Sequence, residues 1–446
     1  MEELLNQLLE NKQKVPYSFF AADTEIQETL GGTIDELKLG TELVLPLVYQ
    51  PMAVFRVRPV TRCTDTIPGH TEAILHVSYS PNGKCLASGG GDFTVRFWDV
   101  NTCLPKHTCR GHKHHVLCTA WSPDGKRFVS GDRHGEIRIW NPETGEQVGQ
   151  PLKGHKQWIT GLAWEPMHRN SACERLASSS KDSTVKIWNF RTGQCVGTLS
   201  GHADSVECIC WGGEGLLYSG SRDRTIKVWN VERSKADSRR QVGILVRTLV
   251  GHGHRVNTLA LSCEDVLRTG PFGYRGGGFD SPEAAKEAAQ ARYDEARSGK
   301  PEALVSGSDD FTLFLWNPAE DKKPIARLTG HQQAVNHIAF SPDGNYFASA
   351  SFDKKVKVWN GKTGKFIATL TGHVGAVYRV AWSADSRLLV SASKDSTVKL
   401  WEMSSLKRAK ATLPGHADEV FALAWSPSGE QVASGSKDRT IKIWRN

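Results

Sequence analysis

A chain of 446 residues, 39% hydrophobic and 23% charged, is long enough for a large core, and it has no apolar run of the about 18 residues that suggest a membrane span. Its ten cysteines are scattered, without a C-x-x-C or paired spacing; this reads as reduced thiols of the nucleus or cytosol, not a disulfide framework or thiolate metal site. The net charge of +8 is uneven: residues 1–50 hold nine acids against three lysines, which is −6 and leaves +14 for the rest. An acidic head on a basic body suits two different partners, the body facing phosphate-rich RNA or an acidic protein.

Residues 2–12 read as a helix with Leu4, Leu5, Leu8 and Leu9 on one face. Residues 16–22, PYSFFAA, read as a strand. Leu30-Gly31-Gly32-Thr33 is a turn, and Thr33-Ile34-Asp35-Glu36 a short helical turn. Residues 43–49, LVLPLVY, form a second strand, an edge by its Pro46. One helix and two strands bury little surface, so this head is a thin unit.

From residue 62 the chain repeats. A Gly-His pair opens each period, at His70, His112, His155, His202, His252, His331, His373 and His416, and four of the seven intervals are 42 or 43 residues. Each His is followed by a frame of Ser, then Asp, then Trp: Ser88/Asp92/Trp98, Ser178/Asp182/Trp188, Ser219/Asp223/Trp229, Ser306/Asp310/Trp316, Ser349/Asp353/Trp359, Ser391/Asp395/Trp401 and Ser434/Asp438/Trp444. An eighth frame, Ser130/His134/Trp140, puts His in place of Asp, so its staple should be broken or rebuilt. Within a period the apolar residues alternate, as in Val95 and Phe97, and Ser-Pro-Asn-Gly or Ser-Pro-Asp-Gly turns separate the runs. Four short strands per period make one small sheet, which must stack on its neighbours to bury both faces.

In each frame His, Ser, Asp and the Trp indole are expected to form one hydrogen-bonded chain that satisfies a buried carboxylate. The set resembles a hydrolase triad, but seven repetitions argue for a structural staple, since an enzyme needs one. No nucleophile elbow or P-loop accompanies it: Gly361-Lys362-Thr363 lacks the glycine five residues earlier and reads as a turn. Gly111-His112-Lys113-His114-His115 reads as a loop facing RNA or protein, because adjacent strand residues point opposite ways and cannot share a metal. Cys208 and Cys210 read as ordinary buried thiols.

Three irregularities interrupt the array. Residues 164–170 extend a turn of the third period, and the basic stretch Ser234-Lys235-Ala236-Asp237-Ser238-Arg239-Arg240 lengthens the connector to the fifth. An insertion at about 264–303 separates His252 from Ser306 by 54 residues instead of the usual 18. In it Leu267-Arg268-Thr269-Gly270 reads as a strand and 281–297 as a helix capped by Ser281; its place before or after the blade's second strand is open.

The Gly-His openers and the Trp-Asp or Trp-Asn endings (Trp98-Asp99, Trp140-Asn141, Trp188-Asn189) resemble the WD40 family over 62–446. The resemblance implies an all-β fold, an eight-bladed propeller, in which 62–67 supplies the outer strand of the last blade. Residues 1–52, continued by Tyr49-Gln50-Pro51-Met52-Ala53-Val54-Phe55-Arg56-Val57, resemble the second half of the ubiquitin-like domain of Notchless-type ribosome assembly factors. So do Trp158-Ile159-Thr160-Gly161-Leu162 and the stretch 306–316. That domain opens with a β-hairpin where this chain starts at the helix, so the head is expected to be a partial α+β unit. The resemblance implies a non-enzymatic factor of 60S subunit assembly in the nucleus and nucleolus, a monomer within a large particle. It binds pre-60S proteins and rRNA, has no cofactor of its own and no membrane contact. Its head offers Glu42, in Gly40-Thr41-Glu42, to the Mg site of the AAA ATPase midasin. The alternative is a WD40 scaffold in Notch signalling or a ubiquitin-ligase complex.

Overall fold

The computed structural model describes residues 5, 8, 9, 17–21, 24–26, 30, 46–51, 55–231, 243–274, 276–279, 281–297, 299–406 and 408–446. Eight small antiparallel sheets are arranged in a closed ring, the innermost strand of each packing on the innermost strands of its two neighbours. Blade one shows the plan: Ile74–Tyr79 nearest the axis, then Cys85–Gly90, Val95–Asp99 and, outermost, Pro105–Cys109. The ring closes as the sequence predicts, because Arg62–Pro68 pairs with Thr440–Arg445 as the outer strand of blade eight. This joins the two ends of the array and leaves no unpaired edge between first and last blades.

Each blade pairs its first two strands through a bulge, which in blade one falls between Ile74 and His76. Blade two has only three regular strands. Its outer strand is reduced to single bridges at Gln147 and Leu152, separated by left-handed Gly149 (φ 71°) and by Pro151, which has no N–H to donate. The apolar side chains lie between blades: Phe97, Trp121, Phe128 and Trp140, for example, form one cluster joining blades one and two.

Strand alternation gives the ring two faces. The turns carrying the Asp of each frame and the Gly-His connectors lie on one, the staple face. The turns between first and second strands lie on the other. The blade-five insertion runs between Val256–Leu261 and Leu304–Ser308, the first and second strands, and so sits on the face opposite the staples. It contains two helices, α1 (Glu264–Thr269) and α2 (Pro282–Arg297), with Ser281 Oγ accepting the Ala284 N–H at 3.1 Å at the start of α2.

The expected strand at 267–270 is instead the end of α1. The place beside Val256–Leu261 is taken by Leu304–Ser308, so a strand at 267 has no partner, and Val266 and Leu267 bury against the apolar layer of blades four and five. The lengthened turn of blade three meets α2: Met167 and Cys173 pack on Ala285 and Ala289. The insertion also reaches the segment leading into the ring, where Phe55 stacks on Tyr274 at 3.7 Å. Val57 N–H next to it donates to Asp385 Oδ2 at 2.8 Å.

In the head, Tyr17–Ala21 pairs with Thr24–Glu25 and with Leu47–Pro51, the latter an edge strand; residues 43–45 of the strand predicted at 43–49 lie outside the described residues. Of the predicted first helix, Leu5 and Leu8 are helical and Leu9 N–H donates to the Leu5 carbonyl at 2.9 Å. The turn at 33–36, Glu42 with its loop, and the basic stretch at 234–240 lie outside the described residues.

Candidate functional site

The predicted frame residues meet in seven of the eight blades. His70 Nδ1 lies 2.9 Å from the Asp92 carboxylate and Nε2 lies 2.8 Å from Ser88 Oγ, which also accepts from the Trp98 indole at 3.0 Å. The Ser hydroxyl donates to Nε2, which puts the ring proton on Nδ1, facing the carboxylate. His155, His202, His252, His331, His373 and His416 meet Asp182, Asp223, Asp310, Asp353, Asp395 and Asp438 in the same way, at 2.7–3.0 Å. Trp188, Trp229, Trp316, Trp359, Trp401 and Trp444 each donate to the Ser of their frame at 2.8–2.9 Å.

Burial alone raises the Asp92 carboxyl, but the hydrogen bonds from His70 and Thr94 outweigh it and hold the group well below the ordinary carboxylate range. Asp182, Asp223, Asp310 and Asp395 are held down by the same balance. The seryl oxygens are fully buried and already carry two hydrogen bonds, so no substrate carbonyl can reach them. These sets brace the strands of each blade.

Blade two rebuilds its staple from a residue that the spacing did not single out. His112 Nδ1 meets Asp132 Oδ2 at 3.1 Å and Nε2 meets Ser130 at 2.6 Å. Asp132 Oδ1 takes the N–H groups of His134 and Glu136 at 2.8 and 2.9 Å. The signal in the sequence was an acid two residues early, in Ser130-Gly131-Asp132. His134 is thereby released to the surface, where its ring stacks on His114 at 4.9 Å.

That pair belongs to an aromatic and basic area on the staple face of blades one to three. Phe93, 38% exposed on a left-handed turn (φ 64°), packs edge-on to His115 at 5.4 Å. The Trp158 ring carries Arg133 at 4.3 Å and Lys181 at 4.1 Å. Across the ring, Phe352, Val374 and Tyr378 line a groove between blades six and seven, flanked by Lys354 and Lys394. Flat rings beside cations on a basic body can stack bases and meet phosphates, or take an acidic protein segment. Among the described residues no cluster of His, Cys, Asp or Glu has the geometry to hold a metal ion.

The family model for the WD domain, G-beta repeat, matches residues 61–99, 103–141, 145–189, 193–230, 322–360, 364–402 and 407–445, passing over the insertion-bearing blade. The chain is 51% identical to "Protein Notchless" of Drosophila melanogaster over 345 residues, 76% of this chain and 69% of that protein. It is 54% identical to "Notchless protein homolog" of Arabidopsis thaliana over 366 residues, 82% of this chain and 75% of that one. To "Ribosome assembly protein 4" of Saccharomyces cerevisiae it is 45% identical over 387 residues, 82% of this chain and 73% of that one. Among solved structures, the computationally designed Ika8 protein superposes with a TM-score of 0.66 at 26% identity, over 86% of this chain and all of that one.

Proposed function

This chain belongs to the WD40 family, in its Notchless and ribosome assembly protein 4 branch, and from that membership we propose that it is a non-enzymatic assembly factor of the large ribosomal subunit, working in the nucleus and nucleolus. The observation that carries the reading is the 45% identity to ribosome assembly protein 4 over 82% of the chain, which spans the propeller and its irregular blade together. The staple face gives the reading a physical basis. Trp158 between Arg133 and Lys181, and the His114–His134 pair beside Phe93, offer stacking surfaces and charge for pre-ribosomal RNA or an acidic ribosomal partner. The rigid closed ring suits a part that must transmit force without chemistry of its own.

In the finer form of the proposal, the acidic head tethers midasin, with Glu42 as an oxygen ligand to Mg²⁺ in the ATPase's site. What supports it is the family resemblance of the head and the hard-oxygen chemistry of a lone loop carboxylate. The test is sedimentation of the tagged chain with large-subunit precursors, joined to binding of wild type and Glu42→Ala to the midasin metal-site domain, with Mg²⁺ and after chelation. Co-sedimentation with Glu42- and metal-dependent binding is the expected result. Co-sedimentation without midasin binding removes the tether and keeps the assembly role. Recovery of receptor fragments or ligase subunits without ribosomal particles favours the signalling scaffold instead.

A further inference from the structure

The bulge in each first strand is followed by one matched residue per blade: His76, Cys118, Gly161, Cys208, Thr258, His337, Arg379 and Ala422 in blades one, two, three, four, five, six, seven and eight, of which His76, His337 and Arg379 line the axial cavity. Five of these are small. Of the three large polar ones, Arg379 of blade seven passes blade eight and donates to His76 Nε2 of blade one at 3.3 Å. That bond leaves the His76 proton on Nδ1, which meets Thr119 Oγ at 2.7 Å and so frees the Thr119 hydroxyl hydrogen to donate elsewhere.

Arg379 is partly buried and forms no ion pair among the described residues. On the other side of it, His337 lines the same cavity with its Nδ1 buried and without a hydrogen-bond partner. A fixed cation with unused N–H groups, a partnerless imidazole nitrogen and a free hydroxyl thus converge on one cavity of about 400 Å³. The acids lining the cavity come from α1: Asp265 is paired with Arg268 at 2.8 Å, and Glu264 is exposed to solvent. A partly buried cation without a counter-charge loses hydration, and a ligand supplying the charge recovers part of that cost.

We propose that the axial channel is a binding site for a phosphate group, held by Arg379, His337 and Thr119. Donors approaching from blades two, six and seven suit a tetrahedral oxyanion with acceptors in several directions better than a planar carboxylate with two. The cavity has room for a small phosphate monoester as well as for inorganic phosphate. Residues of α1, among them Asp265 and Arg268, line the cavity on the insertion face. The site is independent of the docking reading above.

The test is a titration of the full chain with inorganic phosphate, glycerol phosphate and acetate at constant ionic strength, read by calorimetry and by the histidine ring resonances. Saturable phosphate binding that perturbs His337, and is about 10- to 100-fold weaker in Arg379→Gln, is expected, the loss that follows removal of a charge-assisted hydrogen bond. His337→Phe and Thr119→Val give smaller losses in chains of unchanged melting midpoint, which keeps the test valid if Arg379→Gln folds poorly. Tighter binding of the monoester identifies an organic phosphate as the occupant, and equal binding identifies the inorganic ion. The proposal is overturned if acetate binds as tightly as phosphate, if phosphate acts only as ionic strength, or if binding survives in His337→Phe and Thr119→Val but is lost in Arg133→Ala/Lys181→Ala.

Discussion

Tyr293 lies flat on His168, with ring centroids 4.4 Å apart and 14° between the planes. One residue belongs to α2 of the blade-five insertion and the other to the lengthened turn of blade three. Tyr293 also donates its hydroxyl to Glu302 at 2.8 Å, and Glu302 accepts the Gly213 N–H of blade four at the same distance. Two departures from the repeat are thus one interface that ties blades three, four and five across the back of the ring.

Removing this contact should loosen the insertion before the ring. Tyr293→Ala is expected to lower stability by about 3 kcal/mol, since it deletes a buried ring and leaves Glu302 short of a donor. Limited proteolysis should then cut within 270–281 much faster than in wild type. Cutting at the wild-type rate would mean that α2 is held by Ala285 and Ala289 alone.

The staple of blade two depends on Asp132. Asp132→Ala should destabilise the chain by about 1–3 kcal/mol by denaturant titration, because the His112 imidazole and two backbone N–H groups lose their acceptor. His134→Ala should cost far less. Asp310→Ala, in an ordinary blade, should resemble Asp132→Ala; equal effects of Asp132→Ala and His134→Ala would contradict the assignment.

Acid should act in two stages. Burial and the nearby Arg379 charge push His337 down to about 3, and burial lowers His76 and His416 as well. His337 and His76 stay neutral in the fold, whereas the unfolded chain takes up their protons at a pH of about 6.5. The unfolded state then holds more protons, so stability is full above that value and falls below it by about 1.4 kcal/mol per pH unit for each ring. The frame carboxyls have depressed values too, so their contribution is present above about pH 4 and is lost as the pH falls further. Melting midpoints in phosphate-free buffer should therefore decline from pH 7 to 5, more gently in His337→Phe. A flat profile over that range would exclude the neutral channel histidines.

On the staple face, Trp158→Ala with Arg133→Ala and Lys181→Ala should reduce association with large-subunit precursors about tenfold while moving the melting midpoint little, since exposed stacking and charge serve a partner more than the fold. Salt should weaken wild-type association more steeply than that of the variant. Unchanged co-sedimentation would shift attention to the Phe352–Tyr378 groove.

The sequence alone determined the repeat, the short strands within it and seven of the eight His–Ser–Asp–Trp staples. All of these follow from short-range spacing that every blade reproduces, so one period predicts the next. It also placed α2, whose Ser281 cap and alanine-rich body are local signals. It could not place what depends on neighbours distant in the chain. Leu267-Arg268-Thr269-Gly270 has a strand's composition but no free edge to pair with, so it ends a helix. Asp132 replaced the expected carboxylate because the imidazole needs an acceptor in space, wherever along the turn it is attached. Arg379 meets His76, 303 positions away in the chain, only because the ring closes. The channel and the insertion face are products of closure, which brings together side chains that no local pattern relates.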